Sequence, residues 1–426
     1  MNDMNRWIAT SFSQRRFVRW LAIVFSLAPA CATHAQTAIP IRQVTHIISS
    51  DSTVLMGLST ARSLPDGSVL INDPVKRQLV LFDSTLRKFA IIADTSTSSP
   101  NSYGLRPSAG GLIPYVADSS LFIDSESQAF LVIDPHGAFV RVMAPVRASD
   151  LNFMANGQLG FAGFDTRGRL LYRTQRRNPA NSTLPALVVG RPRVVVQPDS
   201  APIMRMDFDK ATVDTLGTIK VPVTQTAQLL MSNGGLQNYA VVNPLPSGDE
   251  WTLLPDGTVA IVRAQDYHID WLSADGKLSS SPKMPFDWKR ISTEDKQKII
   301  DSVKLANAER VARAAAAAQA SGAAVRTPVP FVTVEPGDLP DFYPPVRQGQ
   351  VRSDHQGNVW ILPSTSAASV NGGLLYDVVN RDGAIVERVQ LPAGRTLVGF
   401  AESGAIFMHY VKSARSAVIE RGAVQR

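Results

Sequence analysis

The chain has 426 residues, 44% of them hydrophobic and 19% charged, which is ample material for a large core and too little charge for general disorder. Of its formal charge of +7, four arginines and one aspartate lie in the first 35 residues. The remainder carries about +4, a mild excess that fits an ordinary basic surface better than nucleic-acid binding. Cys31 is the only cysteine; a cut after Ala35 leaves none, and with it no disulfide, thiolate nucleophile or cysteine-bound metal.

Residues 1–35 read as an export signal. Arg6, Arg15, Arg16 and Arg19 precede an apolar run from Trp20 to Ala30, and the small residues Thr33 and Ala35 mark a cleavage site. The run is short for a membrane span. Arg15-Arg16-Phe17 resembles a twin-arginine motif with Phe17 one place early, which favours the general secretory route. Lipid attachment at Cys31 is a minor alternative, because Ala28-Pro29-Ala30 lacks the usual upstream leucine. The mature chain, 36–426, is expected in the periplasm or outside the cell, without a transmembrane segment.

Beyond a strand at 41–48, one unit recurs: two β-hairpins with alternating strands. In blade one the strands are 59–64 and 69–72, turning at Asp66-Gly67, then 78–82 and 88–93. Blade two has 115–118 and 121–123, turning at Ser119-Ser120, then 130–133 and 138–142. Blade three opens at 151–154, turns at Asn156-Gly157 and continues to Phe164; its second hairpin, 203–208 with 212–221, follows an insertion at 165–200. That insertion holds Arg167, Arg169, Arg173, Arg176, Arg177, Arg191 and Arg193. Blade four, 251–254 and 259–262 about Asp256-Gly257, then 267–272 and 277 onward, nearly repeats blade one. Blade five has 348–353 and 358–362 about Gln356-Gly357, then 374–379 and 384–389. Blade six has 396–401 and 405–411 about Ser403-Gly404, then 417–419, and is one strand short. An insertion at 283–346 separates blades four and five. Ser292 and Asp295 open a helix there, about 292–320, with a narrow apolar stripe that suits docking on the rest of the chain.

Six aligned turns with paired second hairpins predict an all-β fold: a six-bladed β-propeller of four-stranded blades. The strand at 41–48 would complete blade six and close the ring, hiding two sheet edges. Leu64-Pro65-Asp66-Gly67-Ser68-Val69, Leu254-Pro255-Asp256-Gly257-Thr258-Val259 and Asp354-His355-Gln356-Gly357-Asn358-Val359-Trp360, with second turns such as Val378-Val379-Asn380-Arg381-Asp382-Gly383, carry a resemblance. Over about residues 40–425, apart from the two insertions, the chain resembles the exported six-bladed β-propeller proteins of bacteria related to the NHL-repeat group. The resemblance implies a fold far more than a function.

Strand alternation puts the long segments 95–112, 165–200, 223–249 and 283–346 on one face, where recognition over the central channel is expected. Propeller lactonases and esterases imply calcium held by Glu, Asn and Asp on inner strands. Here Arg62-Ser63-Leu64, Val116-Ala117, Asn152-Phe153, Thr252-Leu253 and Val351-Arg352 offer little, and Asn152 and Glu402 are the only amide or acid near such positions. Asp338 and Asp341 could pair as acid and base but read more simply as solvated acids in a proline-stiffened linker. His46, His136, His268, His355 and His409 are scattered, and Trp251, Trp271 and Trp360 read as blade packing rather than sugar platforms. The arginine-rich insertion could meet a polyanion, though a solvated loop is the simpler reading. No catalytic, cofactor-binding or metal residue is assigned, and no cofactor. The expectation is a monomeric binding module for a protein, peptide or envelope glycan, with a propeller hydrolase or lyase as the alternative.

Overall fold

The computed structural model describes residues 38–50, 54–98, 101–105, 111–175, 184–320, 331–368, 372–413 and 416–426. The expected export signal lies outside them. Among the described residues no helix is long and apolar enough to cross a membrane.

Blade one shows how the sequence makes a blade. Thr60–Ser63, Val69–Asp73, Gln78–Phe82 and Phe89–Ala93 pair in that order, antiparallel throughout. At the first turn Leu64 N–H donates to Ser68 C=O at 2.9 Å and Gly67 N–H to Leu64 C=O at 2.9 Å. The Asp66 carboxylate accepts from Ser68 N–H at 2.9 Å. Only Gly67 lies at positive φ, +81°, so this is a three-residue loop with a left-handed glycine rather than a two-residue turn. Gly257, Gly357 and Gly404 repeat the arrangement with φ of +83°, +81° and +82°.

Blade four (Glu250–Leu253, Val259–Arg263, His268–Leu272, Leu278–Ser280) and blade five (Val351–Ser353, Val359–Ile361, Leu375–Val379, Ile385–Gln390) follow the expected plan. Two blades depart from it. In blade two the inner strand is only Ile113–Pro114, and the turn falls at Ala117 and Asp118, with φ of +51° and +60°, not at Ser119-Ser120. In blade three Leu151–Met154 is a helical turn, and Asn156 caps a short 3-10 segment by accepting from Gln158 N–H at 3.1 Å. The hairpin is Gly163–Phe164 with Leu170–Arg173, turning through Asp165 to Gly168. The insertion therefore starts after Arg173, and residues 165–173 belong to the blade.

The ring closes through the N-terminal strand. Ile41–Ser49 runs antiparallel to Ser416–Val424, pairing Val44 with Val424 and Ser49 with Glu420, around a bulge where His46 has φ +49°. Its first residues also pair in parallel with the outer strand of blade five, Ile41 opposite Arg388. Six apolar clusters lie one at each seam between neighbouring blades. Consecutive strand residues feed different seams: Val69 and Ile71 pack toward blade six, and Leu70 toward blade two. This is why the strands read as continuous apolar runs, since each sheet buries both faces. The seam clusters and six four-stranded blades, with blades five and six joined into one eight-stranded sheet through Ile41–Ser49, make a six-bladed propeller.

A seventh sheet stands outside the ring. Pro192–Val196, Gln225–Leu230, Leu236–Val242 and Val332–Thr333 form it, drawn from three separate inter-strand segments. The helix Thr293–Ala320 begins at the expected cap, with Asp295 N–H donating to Ser292 Oγ at 3.1 Å. Ile299 and Ile300 pack against Val334 and Leu339 beside that sheet, and Lys296 donates to Leu339 C=O at 2.9 Å and to Asp341 at 2.8 Å. The helix docks by its first two turns; beyond them Leu305 is exposed.

Candidate functional site

The first hairpin turn of each blade is opened by the same hydrogen bond, donated by Leu64, Tyr115, Asp165, Leu254, Asp354 and Ala401 N–H. Counting two residues back along each inner strand gives one level of the ring: Arg62, Ile113, Gly163, Thr252, Arg352 and Gly399. The only charges at this level are the two arginines, on blades one and five. Between them, on blade six, stands Gly399, where a Cβ would collide with the carbonyl oxygen of Ala61.

Both arginines line a central channel of about 500 Å³, within the usual range of small-molecule sites. Phe161, Phe164, Phe400 and Tyr115 line it too, and Asp118, His355 and Glu402 stand at the end bearing the short turns. A second hollow, by Gln356, Trp360 and Arg426, holds about 10 Å³, room for a single water.

The two arginines differ in their partners. Arg62 Nη2 donates to Asp118 C=O at 3.1 Å, and Nη1 donates to Ser120 Oγ. Burial lowers the Arg62 pKa to about 10, opposed by the Asp118 and Glu402 carboxylates. Arg352 reaches across from blade five to blade three, its guanidinium carbon 4.2 Å from the Phe161 ring centroid. Its Nε is buried without a hydrogen-bond partner, and burial lowers its pKa to about 10 as well. Among the described residues no carboxylate forms an ion pair with Arg352. Both remain cationic at neutral pH. His409, whose Nδ1 is 2.8 Å from Thr396 Oγ1, has its pKa lowered by burial and then by Arg352.

A second buried charge pair flanks the inner strand of blade four. Glu250 opens that strand and is 1% exposed; Arg173 ends the second strand of blade three and is 3% exposed. Burial pushes the Glu250 carboxyl up to about 7 despite Arg173, and lowers the Arg173 pKa. Glu250 Oε2 and Arg173 Nε and Nη1 have no hydrogen-bond partner.

The remaining candidates are dispersed. Asn152 is exposed on the helical turn and does not line the channel, whereas Glu402 does. Asp338 caps its own turn by accepting from Glu335 N–H at 3.3 Å, and Asp341 binds Lys296, so the two do not form an acid–base pair. His268 bridges Asp266 at 2.7 Å and Asp270 at 3.1 Å on blade four, His136 sits in a turn, and His46 forms the bulge. Trp251 and Trp360 are buried in seams, and Trp271 lies under Arg381. In the arginine-rich segment Arg167 pairs with Asp275 at 2.9 Å, Arg169 with Asp165 at 2.9 Å, and Arg193 with Gln228 at 3.0 Å. Arg191 is exposed, and Arg176 and Arg177 lie outside the described residues. Most of the described arginines there are thus tied into the fold rather than free in a solvated loop.

Among the described residues no group of three or more His, Cys, Asp or Glu side chains could share a metal ion. Of the channel's acids, Asp118 and Glu402 are exposed at one end beside Arg62, and Asp354 is buried, accepting hydrogen bonds from Gln356 and Asn358 N–H, Asn358 Nδ2 and Trp360 Nε1. This donor set does not fit the calcium held by propeller lactonases and esterases.

No family model and no curated protein matches the chain. Solved structures do match over most of its length. A streptogramin B lyase is 10% identical, with 89% of this chain and 98% of that one covered and a TM-score of 0.37. A gluconolactonase of Xanthomonas campestris is 8% identical, covering 89% and 98%, with a TM-score of 0.37. The calcium-binding protein regucalcin of Agrobacterium tumefaciens is 10% identical, covering 90% and 96%, with a TM-score of 0.36. At such identities and TM-scores the likeness carries no argument, and the fold and blade count rest on the sheets and seams.

Proposed function

We propose that the protein is an exported binding module that takes a ligand into its central channel. One observation carries the reading: Arg352, a cation with no carboxylate ion pair among the described residues, lines an aromatic-walled channel of about 500 Å³. A largely buried cation without a counter-charge is costly, and a ligand that supplies one removes part of that cost. This moves recognition from the surface of the elaborated face into the ring itself. The test uses residues 36–426 and a ligand panel read by thermal melting. Ser63 lines the channel, and Ser63→Trp would obstruct it. Stabilisation by any ligand should vanish in this variant while the unliganded melt stays the same. Stabilisation that survives would place binding elsewhere.

A second reading has its own support. Glu402, His355 and Asp118 gather with Arg62 at the short-turn end of the channel, where a carboxylate base and a cation for developing negative charge would serve a lyase or hydrolase. Turnover of lactones or esters that falls in both Glu402→Gln and His355→Ala would support it. Unchanged turnover in both would remove it.

A further inference from the structure

We propose that the channel ligand carries an oxyanion head, a carboxylate or phosphate, seated on Arg352 with Arg62 beside it, and an apolar body held by the channel's rings. The inference rests on the channel reading above. Two cations stand at one level of the ring on either side of Gly399, which brings no side chain to that level. The carboxylates closest in influence, Asp118 and Glu402, act on Arg62 and leave Arg352 without an acidic counterpart. The titratable neighbours that Arg352 acts on carry no negative charge at neutral pH: burial keeps the Tyr376 hydroxyl protonated, and His409 is held toward its neutral form. The cation–π contact with Phe161 helps to hold the Arg352 guanidinium in place. The guanidinium lines the channel, and its planar fork is the group by which arginine holds oxyanions through paired hydrogen bonds. Phe164 and Phe400 supply apolar walls for the rest of the molecule.

Calorimetric titration of residues 36–426 with benzoate, phenyl phosphate and neutral benzamide tests this. At least one anion should bind at millimolar concentration or better and clearly tighter than benzamide; the two anions separate carboxylate from phosphate recognition. Arg352→Gln should weaken the anion by about 10- to 100-fold, the scale of a lost charged hydrogen bond, and leave benzamide unchanged. Arg352→Lys keeps the charge without the planar fork and should fall between them; it also serves if the glutamine variant fails to fold. Benzamide binding as tightly as the anions, with the binding abolished by Ser63→Trp, would overturn the oxyanion inference and leave the channel reading standing. No binding of any of the three would count against both. Anion affinity unchanged in Arg352→Gln would overturn the assignment to Arg352.

Discussion

Glu250 gives the most quantitative test of the packing. Its carboxyl is buried at the start of the blade-four inner strand, and burial raises it from the usual 4.5 to about 7, with Arg173 only partly opposing. The folded state thus holds this proton more tightly than the unfolded chain. The associated stability is fully present below about pH 4.5 and is lost as pH rises through about 7. At about 1.4 kcal/mol per pH unit, the gap between 4.5 and about 7 amounts to about 3 kcal/mol. Glu250→Gln keeps the shape and holds the neutral form at every pH. Denaturant unfolding of both proteins from about pH 4 to about pH 8 should show their stability difference moving in the variant's favour by about 3 kcal/mol, most of it below pH 7. Comparing the two proteins at each pH cancels the other titrating groups. A difference that stays flat, or moves the other way, would mean that Arg173 pairs with an ionised Glu250 and that the burial argument is wrong.

Two further outcomes follow from the geometry. Gly399→Ala should destabilise the ring by roughly 1–3 kcal/mol, because its Cβ would strike the Ala61 carbonyl at the seam where the first and last blades meet; thermal melting reads it, and an unchanged melt would contradict the seam. Replacing the helix Thr293–Ala320 by a short flexible link should shift the main unfolding transition by less than about 1 kcal/mol, since its contacts lie in a cluster separate from the six seams; a large loss of stability would show that the helix braces the propeller.

The propeller is legible in the sequence because its turn is a local device. Asp66-Gly67, Asp256-Gly257 and Gln356-Gly357 place a glycine where the loop needs a left-handed residue, and the apolar runs between turns have blade length. The errors have the same local origin. Ala117 and Asp118 turn blade two in left-handed geometry without any glycine to announce it. Asn156-Gly157 carries the turn signature but caps a 3-10 segment, while Asp165 to Gly168, read as insertion, makes the actual hairpin. The seventh sheet is invisible to a reading of single segments. Val332–Thr333 is two residues long and pairs in parallel with a strand some ninety residues earlier, Leu236–Val242. Arg62 and Arg352 are plain in the inner strands, yet nothing local marks them as a pair. Only the ring brings them to one level, and only the fold sets Arg173, grouped by sequence with a loop, against Glu250.

The most direct test of the account is a crystal structure of residues 36–426 grown with 4-bromobenzoate, using anomalous scattering to locate the bromine. The account predicts one bromine inside the channel near Phe164 or Phe400, with the carboxylate on Arg352. A bromine on the outer surface, with an unoccupied channel and Arg352 still stacked on Phe161, would contradict it.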